Sequence, residues 1–381
     1  MINSASFTFK STGQLSDKLE TLLSEIDFKP TLAFCFISVD MEIKHVMEII
    51  ANKCIRLFGA SSCGELLFDK NNETVSDKAA VITITDIAAD SFSIISRESN
   101  KLKSPDFGLF LGNEIHGFEN KSSVIIAASG LMLDGQALVE GIVEVNGNDL
   151  VMFGGLAGDD SKFEKTFVFT ENEIIDDGAI LLLLDKDKIE VSGIASSGWI
   201  GLGANLRITS SDGNIVYTID DEPALDVYKS YLSVTDEELP AIGIEFPLMI
   251  KRKNGETALR AVIGINSEDK SLIFAGSVSE GSSVTFSSSP GFEVIKTTTS
   301  KLASFHEQDP EADLFILFSC MARHLALGPM VNQEIRFAAD KWDAPVIGFF
   351  TYGEIGRNSN SCDFFNQTYT LVKLTEKNNH K

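Results

Sequence analysis

The chain has 381 residues, of which 44% are hydrophobic and 23% charged, the balance of a globular protein with two or three domains. Its formal net charge of −23 excludes the basic face of a nucleic-acid-binding protein and disfavours an anionic membrane surface. The absence of a signal-peptide pattern, apolar runs too short to cross a bilayer and five cysteines without paired spacing predict a soluble, cytoplasmic protein.

The first predicted unit begins with an apolar strand at residues 32–38. A stretch with apolar residues at helical spacing follows at 45–57, then a Gly-rich loop at 59–65 and a strand at 79–84. The loop carries one carboxylate. The repeating unit is therefore a strand, a helix, a second strand, a Gly-rich loop and a further strand.

A second copy of the unit has the same order. Its strand is predicted at 124–130, its helix at 136–145 and its Gly-rich loop at 153–159. Two strands, at 165–169 and 179–184, follow the loop.

The middle of the chain has a different pattern. Residues 204–209 and 213–218 predict a β-hairpin, and the Glu222–Pro223 pair predicts the start of a short helix. A weaker copy of the unit is predicted at 258–286, with its loop at 274–281.

The third full copy has its strand at 314–320, its helix at 332–341, its loop at 348–354 and a strand at 365–374. Recurrence at this length predicts duplicated α/β units, and the continuous apolar strands predict mixed sheets covered by helices on both faces. The alternating pattern of the last strand predicts an antiparallel edge strand.

We therefore predict an α/β fold of two lobes, each built from strand–helix–strand–Gly-rich loop–strand units. The lobe boundary is expected near residues 185–220. No linker rich in Pro or Ser separates the lobes, so they are expected to pack together. The predicted domains are residues 30–220 and 221–374.

Several segments resemble, in order, the signature motifs of the FIST family. They are 59–65 and 154–159 for its N-terminal domain, 198–203, 207–209, 213–214 and 221–225 for its domain junction, and 319–328, 348–356 and 365–368 for its C-terminal domain. Glu334 falls where this family places a helix Glu, whereas Phe365 stands where most members carry His.

The resemblance implies a bacterial sensory module for signal transduction that binds a small ligand, with an amino acid the usual suggestion. Some members bind haem and sense nitric oxide. The chain shows no F-box, kinase or other output domain, so the resemblance implies that its signal passes to a separate partner, such as a kinase or chemoreceptor.

The Gly-rich loops are candidate ligand sites because successive backbone N–H groups can hold an anion such as a carboxylate. Each loop also adds an acid, Glu65, Asp159 or Glu354, which would suit the amino group of a zwitterion. The alternative is a tight turn whose glycines only satisfy a positive φ and whose acid is solvated.

A second candidate group follows the strand that ends near residue 320. Arg323 has the planar fork that matches a ligand carboxylate. Cys320 and His324, four residues apart, could activate a thiol or ligate iron. The alternative is a buried cysteine beside a surface histidine. Cys63 could likewise be a reactive thiolate or a small apolar filler.

The predicted ligand-binding residues are Cys63, Gly64, Glu65, Gly158, Asp159, Cys320, Arg323, Glu334, Tyr352, Gly353 and Glu354. We predict no catalytic or metal-binding residues, because no zinc spacing or covalent haem motif is present; non-covalent haem stays open. The function that we favour is a non-enzymatic sensor of a small ligand. A haem-based nitric oxide sensor, a protein-interaction scaffold and a cysteine-dependent enzyme are the alternatives.

Overall fold

The computed structural model describes residues 1–118, 122–251, 257–357 and 361–377. The strands of the first half are β1 (Ser4–Phe9), β2 (Leu32–Ile37), β3 (Arg56–Ser61), β4 (Glu65–Phe68), β5 (Glu73–Ser76), β6 (Ala80–Thr85), β7 (Phe92–Glu98), β8 (Ser122–Ala128), β9 (Met152–Leu156), β10 (Val168–Phe169), β11 (Ile174–Ile175), β12 (Gly178–Asp185) and β13 (Ile189–Ser196). Those of the second half are β14 (Ile200–Asp212), β15 (Ile215–Ile219), β16 (Glu222–Pro223), β17 (Leu248–Lys251), β18 (Thr257–Arg260), β19 (Val262–Asn266), β20 (Ser271–Phe274), β21 (Ser283–Ser288), β22 (Leu314–Cys320), β23 (Val346–Thr351), β24 (Gly353–Arg357), β25 (Cys362–Phe365) and β26 (Tyr369–Glu376).

The α-helices of the described residues are α1 (Leu15–Glu25), α2 (Ile43–Ala51), α3 (Ser104–His116), α4 (Gly135–Asn146), α5 (Ala224–Leu232), α6 (Leu239–Glu245), α7 (Phe292–Gln308), α8 (Met321–Leu327) and α9 (Val331–Trp342). Over this part of the chain, none of them is both long and apolar enough to cross a membrane.

Three six-stranded sheets carry the strand–helix–strand units. Their strand orders are β1-β6-β2-β3-β10-β11, β7-β12-β8-β9-β24-β25 and β13-β26-β22-β23-β4-β5. Each sheet has one parallel pair, β2/β3, β8/β9 or β22/β23. Helix α2 joins the first pair, α4 the second, and α8 with α9 the third. The predicted α/β fold, with mixed sheets flanked by helices, is confirmed.

The inner faces of the three sheets meet in a common apolar core. The rings of Phe36, Phe318 and Phe349 lie there with centroids 4.5 to 6.5 Å apart. Helices α1 and α2 cover the outer face of the first sheet, α3 and α4 that of the second, and α7 and α9 that of the third. The apolar strands are therefore covered on both faces, which is why they read as continuous apolar runs.

After each Gly-rich loop the chain leaves its own sheet and enters the next one. Strand β4 pairs with β23, β10 with β3, and β24 with β9. The sheets thus exchange strands in a ring, and the N-terminal and C-terminal parts of the chain are interlocked. This exchange explains why no linker rich in Pro or Ser lies between them.

The fourth sheet is antiparallel, in the order β18-β17-β21-β14-β15-β20-β19, with β16 beside β15. It contains the predicted hairpin, whose turn lies at residues 213–214, and α5 starts after Glu222–Pro223 as predicted. The weaker unit predicted at 258–286 is wrong, because β18 to β21 form antiparallel pairs without a connecting helix.

The last strand is not at an edge, contrary to the prediction. Strand β26 lies between β13 and β22. The polar residues that alternate along β26 are not exposed to solvent. Lys373, for example, is buried, pairs with Asp309 and donates to the Glu311 carbonyl at 2.6 Å.

Candidate functional site

A cavity of about 480 Å³ lies between the fourth sheet and the C-terminal ends of β8, β9, β22 and β23. One wall comes from the segment 130–135 after β8, and another from 320–322 and 351–352 after the strands of the third unit. Residues 274–276 of the fourth sheet lie opposite. Open α/β sheets commonly place ligands at this end of their parallel strands.

The three Gly-rich loops meet beside this cavity. A ring of backbone hydrogen bonds joins them: Cys63 N–H to the Phe350 carbonyl at 2.9 Å, Tyr352 N–H to the Leu156 carbonyl at 3.2 Å, and Gly158 N–H to the Ser61 carbonyl at 2.9 Å. The loops therefore form one junction, which the sequence alone left open.

Tyr352 connects the junction to the cavity. Its side chain lines the cavity, and its hydroxyl donates to the Asp159 carboxylate. Its ring stacks on Phe163, with centroids 4.9 Å apart and planes 10° apart. Burial, with the neighbouring Cys63 and Asp159, raises the pKa of Tyr352, so the phenol stays protonated and acts as a donor.

Asp159 occupies the backbone amides that were predicted to hold a ligand carboxylate. Its carboxylate accepts from the N–H groups of Phe163 at 3.0 Å, Glu164 at 2.7 Å and Lys165 at 2.9 Å. The nest of amides in this loop is thus filled by the protein's own side chain. These bonds give Asp159 a structural role in ordering its loop, and its role in ligand binding stays a prediction.

Glu65 and Glu354 are fully buried in the wall and do not line the cavity. Each accepts from a hydroxyl three residues earlier and a backbone N–H fourteen residues later: Ser62 and Ala79 for Glu65, Thr351 and Thr368 for Glu354. Burial raises the pKa of each carboxyl to about 8. The alternative of a solvated acid is therefore wrong for these two residues, and their role in ligand binding stays a prediction.

The loop glycines allow close approach of the three loops. Gly64 has φ +126°, which L residues with a side chain rarely adopt. A Cβ on Gly158 would lie 2.4 Å from the Cys63 sulfur. Gly353 packs against the ring of Phe364. These contacts are within the protein, so the three predicted glycines shape the junction.

The two candidate cysteines are buried thiols. Burial raises the pKa of Cys63 to about 11, although the N–H groups of Asp159 and Ser161 and the Tyr352 hydroxyl face its sulfur. Burial also raises the pKa of Cys320, with Glu354 adding to the effect. Cys320 lines the cavity, whereas Cys63 lies in the junction. Neither environment favours a thiolate near neutral pH.

Arg323 is not placed to hold a ligand carboxylate. Its side chain and that of Glu334 are 0% exposed and form a bidentate pair, with N–O distances of 2.9 and 2.7 Å. The other donors bond to the Ser197 and Gln367 carbonyls and the Thr298 hydroxyl. All five N–H groups are used within the protein, so the geometry favours a structural role for Arg323 and Glu334, and their role in ligand binding stays a prediction.

His324 does not form the predicted pair with Cys320. Cys320 has extended backbone as the N-cap of α8, while the His324 ring stacks on Phe350 with centroids 4.0 Å apart, outside the cavity lining. Burial lowers the pKa of His324. The predicted Cys320–His324 pair is therefore not available together as iron ligands at the cavity. Across the described residues, no group of three or more His, Cys, Asp or Glu is placed to hold a metal ion.

Of the predicted residues, Cys320 and Tyr352 line the cavity, and their role in ligand binding stays a prediction. The segment 274–276 lies in the weaker Gly-rich loop predicted at 274–281 and also lines the cavity, although no residue of it was among the predicted ligand-binding residues. Sequence reasoning missed Asp134 and Phe163, which line the cavity too. Asp134 was detectable as a helix N-cap before Gly135.

Comparison with known proteins assigns the family. The chain matches the FIST N domain over residues 31–222 and the FIST C domain over residues 224–357. It is 24% identical over 211 residues to the uncharacterized protein MJ1623 of Methanocaldococcus jannaschii, a match that covers 50% of this chain and 40% of that protein. Since the two domain matches together span most of its length, this chain belongs to the FIST family.

Proposed function

We propose that the protein is a sensory protein that binds a small ligand in the 480 Å³ cavity and passes the signal to a separate protein in the cytoplasm, without catalysing a reaction. FIST domains are associated with sensory signal transduction. The cavity carries the proposal because it has the size of a small-molecule site and lies where α/β sheets bind ligands.

The composition of the cavity wall supports a sensory role. Segment 130–135 and Phe163 belong to the FIST N domain, whereas 274–276 and 320–322 belong to the FIST C domain. A ligand that contacts both would favour one packing of the fourth sheet against the loop junction, and such a difference in affinity between two packings is what a sensor needs.

The chemistry of the lining supports binding over catalysis. The Cys320 thiol faces the cavity with a raised pKa, and the Tyr352 hydroxyl is used by Asp159. A nucleophile needs a lowered pKa or an activating base. The pKa of both cysteines is raised, and the Glu354 carboxyl that hydrogen-bonds the Cys320 thiol is itself buried, with its pKa raised to about 8. Selective, fast alkylation of Cys320 near neutral pH would contradict this part of the proposal.

Exposed apolar side chains at the cavity mouth support an interaction with another protein. They are Leu131, Met132, Phe163 and Ile263, with 37 to 62% of each side chain exposed. A ligand in the cavity would contact the inner side of this rim, so occupancy could change the surface that a partner contacts.

The test is a thermal-shift screen of the purified protein against amino acids, organic acids, amines, neutral aromatic compounds and haem. A ligand that binds the folded state raises Tm by mass action. The half-buried Ala275 lines the cavity, so Ala275→Phe should abolish the rise. Ala88→Phe, at an exposed alanine outside the lining, is the matched control. If the ligand still raises the Tm of Ala275→Phe, the ligand binds outside this cavity.

A further inference from the structure

Four aromatic residues lie in the cavity wall, namely Phe163, Phe274, Tyr352 and Phe364. The stacked rings of Phe163 and Tyr352 are accessible, whereas Phe274 and Phe364 are buried behind the surface, with 0% and 1% exposed. The cavity therefore offers a stacked aromatic pair on an otherwise apolar wall. Such a surface favours an apolar, flat ligand that can stack on the rings or meet their edges.

The charges of the lining disfavour an anion. Among the described residues that line the cavity, Asp134 carries the only charge, and none is Lys, Arg or His. Its Oδ1 accepts from the N–H groups of Gln136 and Ala137, and its Oδ2 from the Ser277 hydroxyl. A ligand carboxylate would therefore lose its hydrating water beside the Asp134 carboxylate and find no cation in the lining to pair with, which is unfavourable.

Two fully buried guanidinium groups lie close to this lining in sequence or in space, Arg323 and Arg260. The donors of Arg323 are all used within the protein, as described above, and Arg260 donates to the Ser277 carbonyl at 3.2 Å, the Leu259 carbonyl at 2.8 Å, the Phe364 carbonyl at 3.2 Å and Gln136 Oε1 at 2.6 Å. These bonds hold both guanidinium groups inside the protein and away from a ligand carboxylate.

We propose that the cavity takes a small aromatic ligand, neutral or cationic, that carries no carboxylate. The inference rests on the proposed function, because it names the ligand class of the same cavity. It separates this chain from a receptor for amino acids, whose carboxylate needs a partner that the described lining does not offer. A ligand ammonium would instead meet Asp134 and the ring faces, both of which attract cations.

Four compounds with the same ring system test the ligand class: indole, tryptamine, indole-3-propionate and tryptophan. Thermal shift and isothermal titration with the whole protein should show that indole and tryptamine bind. Indole-3-propionate and tryptophan, which carry a carboxylate, should bind at least about tenfold more weakly. Burying a carboxylate without a partner costs more free energy than a single hydrogen bond contributes.

A variant supplies the missing cation. Ile263 lines the cavity at its mouth and is 45% exposed, so a lysine there should fold. Ile263→Lys should strengthen binding of indole-3-propionate about tenfold or more, since the ammonium pairs with the carboxylate. Ile263→Met has similar length without the charge and should leave the order of the four compounds unchanged.

The outcomes separate the two proposals. Tighter binding of tryptophan or indole-3-propionate to the unaltered protein would overturn the ligand class while keeping the cavity as a site. Failure of all four, with another class of compound binding and lost in Ala275→Phe, would also overturn only the ligand class. A flat response to every class of compound in the screen would overturn the proposed function itself.

Discussion

The Arg323–Glu334 pair offers a sharp test of the structural role assigned here. Arg323→Met removes the guanidinium and leaves the Glu334 carboxylate fully buried without its partner. Breaking a buried pair in this way costs about 3 to 5 kcal/mol, a large part of the 5 to 15 kcal/mol that typically stabilises a fold.

The double variant Arg323→Met/Glu334→Leu should be much less destabilised than Arg323→Met alone, because replacing a whole buried pair by apolar residues is often close to neutral. Arg336→Met is a matched control on α9. Arg336 is 31% exposed and pairs with the partly exposed Glu73, so its loss should cost at most about 1 kcal/mol.

Urea unfolding followed by tryptophan fluorescence measures these changes. Trp199 is a local reporter, since its ring lies 5.6 Å from the Arg323 guanidinium carbon. A structural role for the pair would be refuted by a free energy of unfolding of Arg323→Met within about 1 kcal/mol of that of the unaltered protein. A loss in the double variant equal to the sum of the losses in Arg323→Met and Glu334→Leu would refute it as well.

Three further predictions concern the junction of the loops. The pKa of Glu354 is about 8 in the folded protein, above the unfolded value, so its stabilisation is complete below pH 4.5 and is lost as pH rises through 8. Glu354 should contribute a fall in stability of about 1.4 kcal/mol per pH unit over this window, beside a similar contribution from Glu65. Glu354→Gln should therefore reduce the slope of the urea midpoints by about half, and an unchanged slope would contradict the assignment. Gly158→Ala places a Cβ 2.4 Å from the Cys63 sulfur and should lower stability by about 1 to 3 kcal/mol; a Tm equal to that of the unaltered protein would show that the loops separate readily. Tyr352→Phe removes the hydroxyl that holds the second loop, so alkylation of Cys63 by iodoacetamide should speed up about tenfold, with the exposed Cys54 as the internal control.

The local elements could be predicted from sequence because their signals are local. The helix predicted at 136–145 is Gly135–Asn146, and the helix predicted at 332–341 is Val331–Trp342. The apolar strand at 314–320 is Leu314–Cys320. Apolar spacing within ten or so residues determines both kinds of element, and the motifs in this order were enough to indicate the family.

The tertiary structure alone decided which strands pair after the loops. Strand β4 meets β23, whose residues lie more than 250 positions further along the chain. A Gly-rich turn followed by a strand has the same local pattern whether the strand stays in its sheet or enters another. The sequence therefore showed three loops without showing that they form one junction.

The same limit applied to the side chains. A sequence shows that Arg323 can bind a carboxylate, and Glu334 turned out to supply that carboxylate. It shows that loop amides can hold an anion, and Asp159 turned out to be that anion. The residue types determine what can be bound, but only the packing of distant segments decides whether the partner is a ligand or the protein itself.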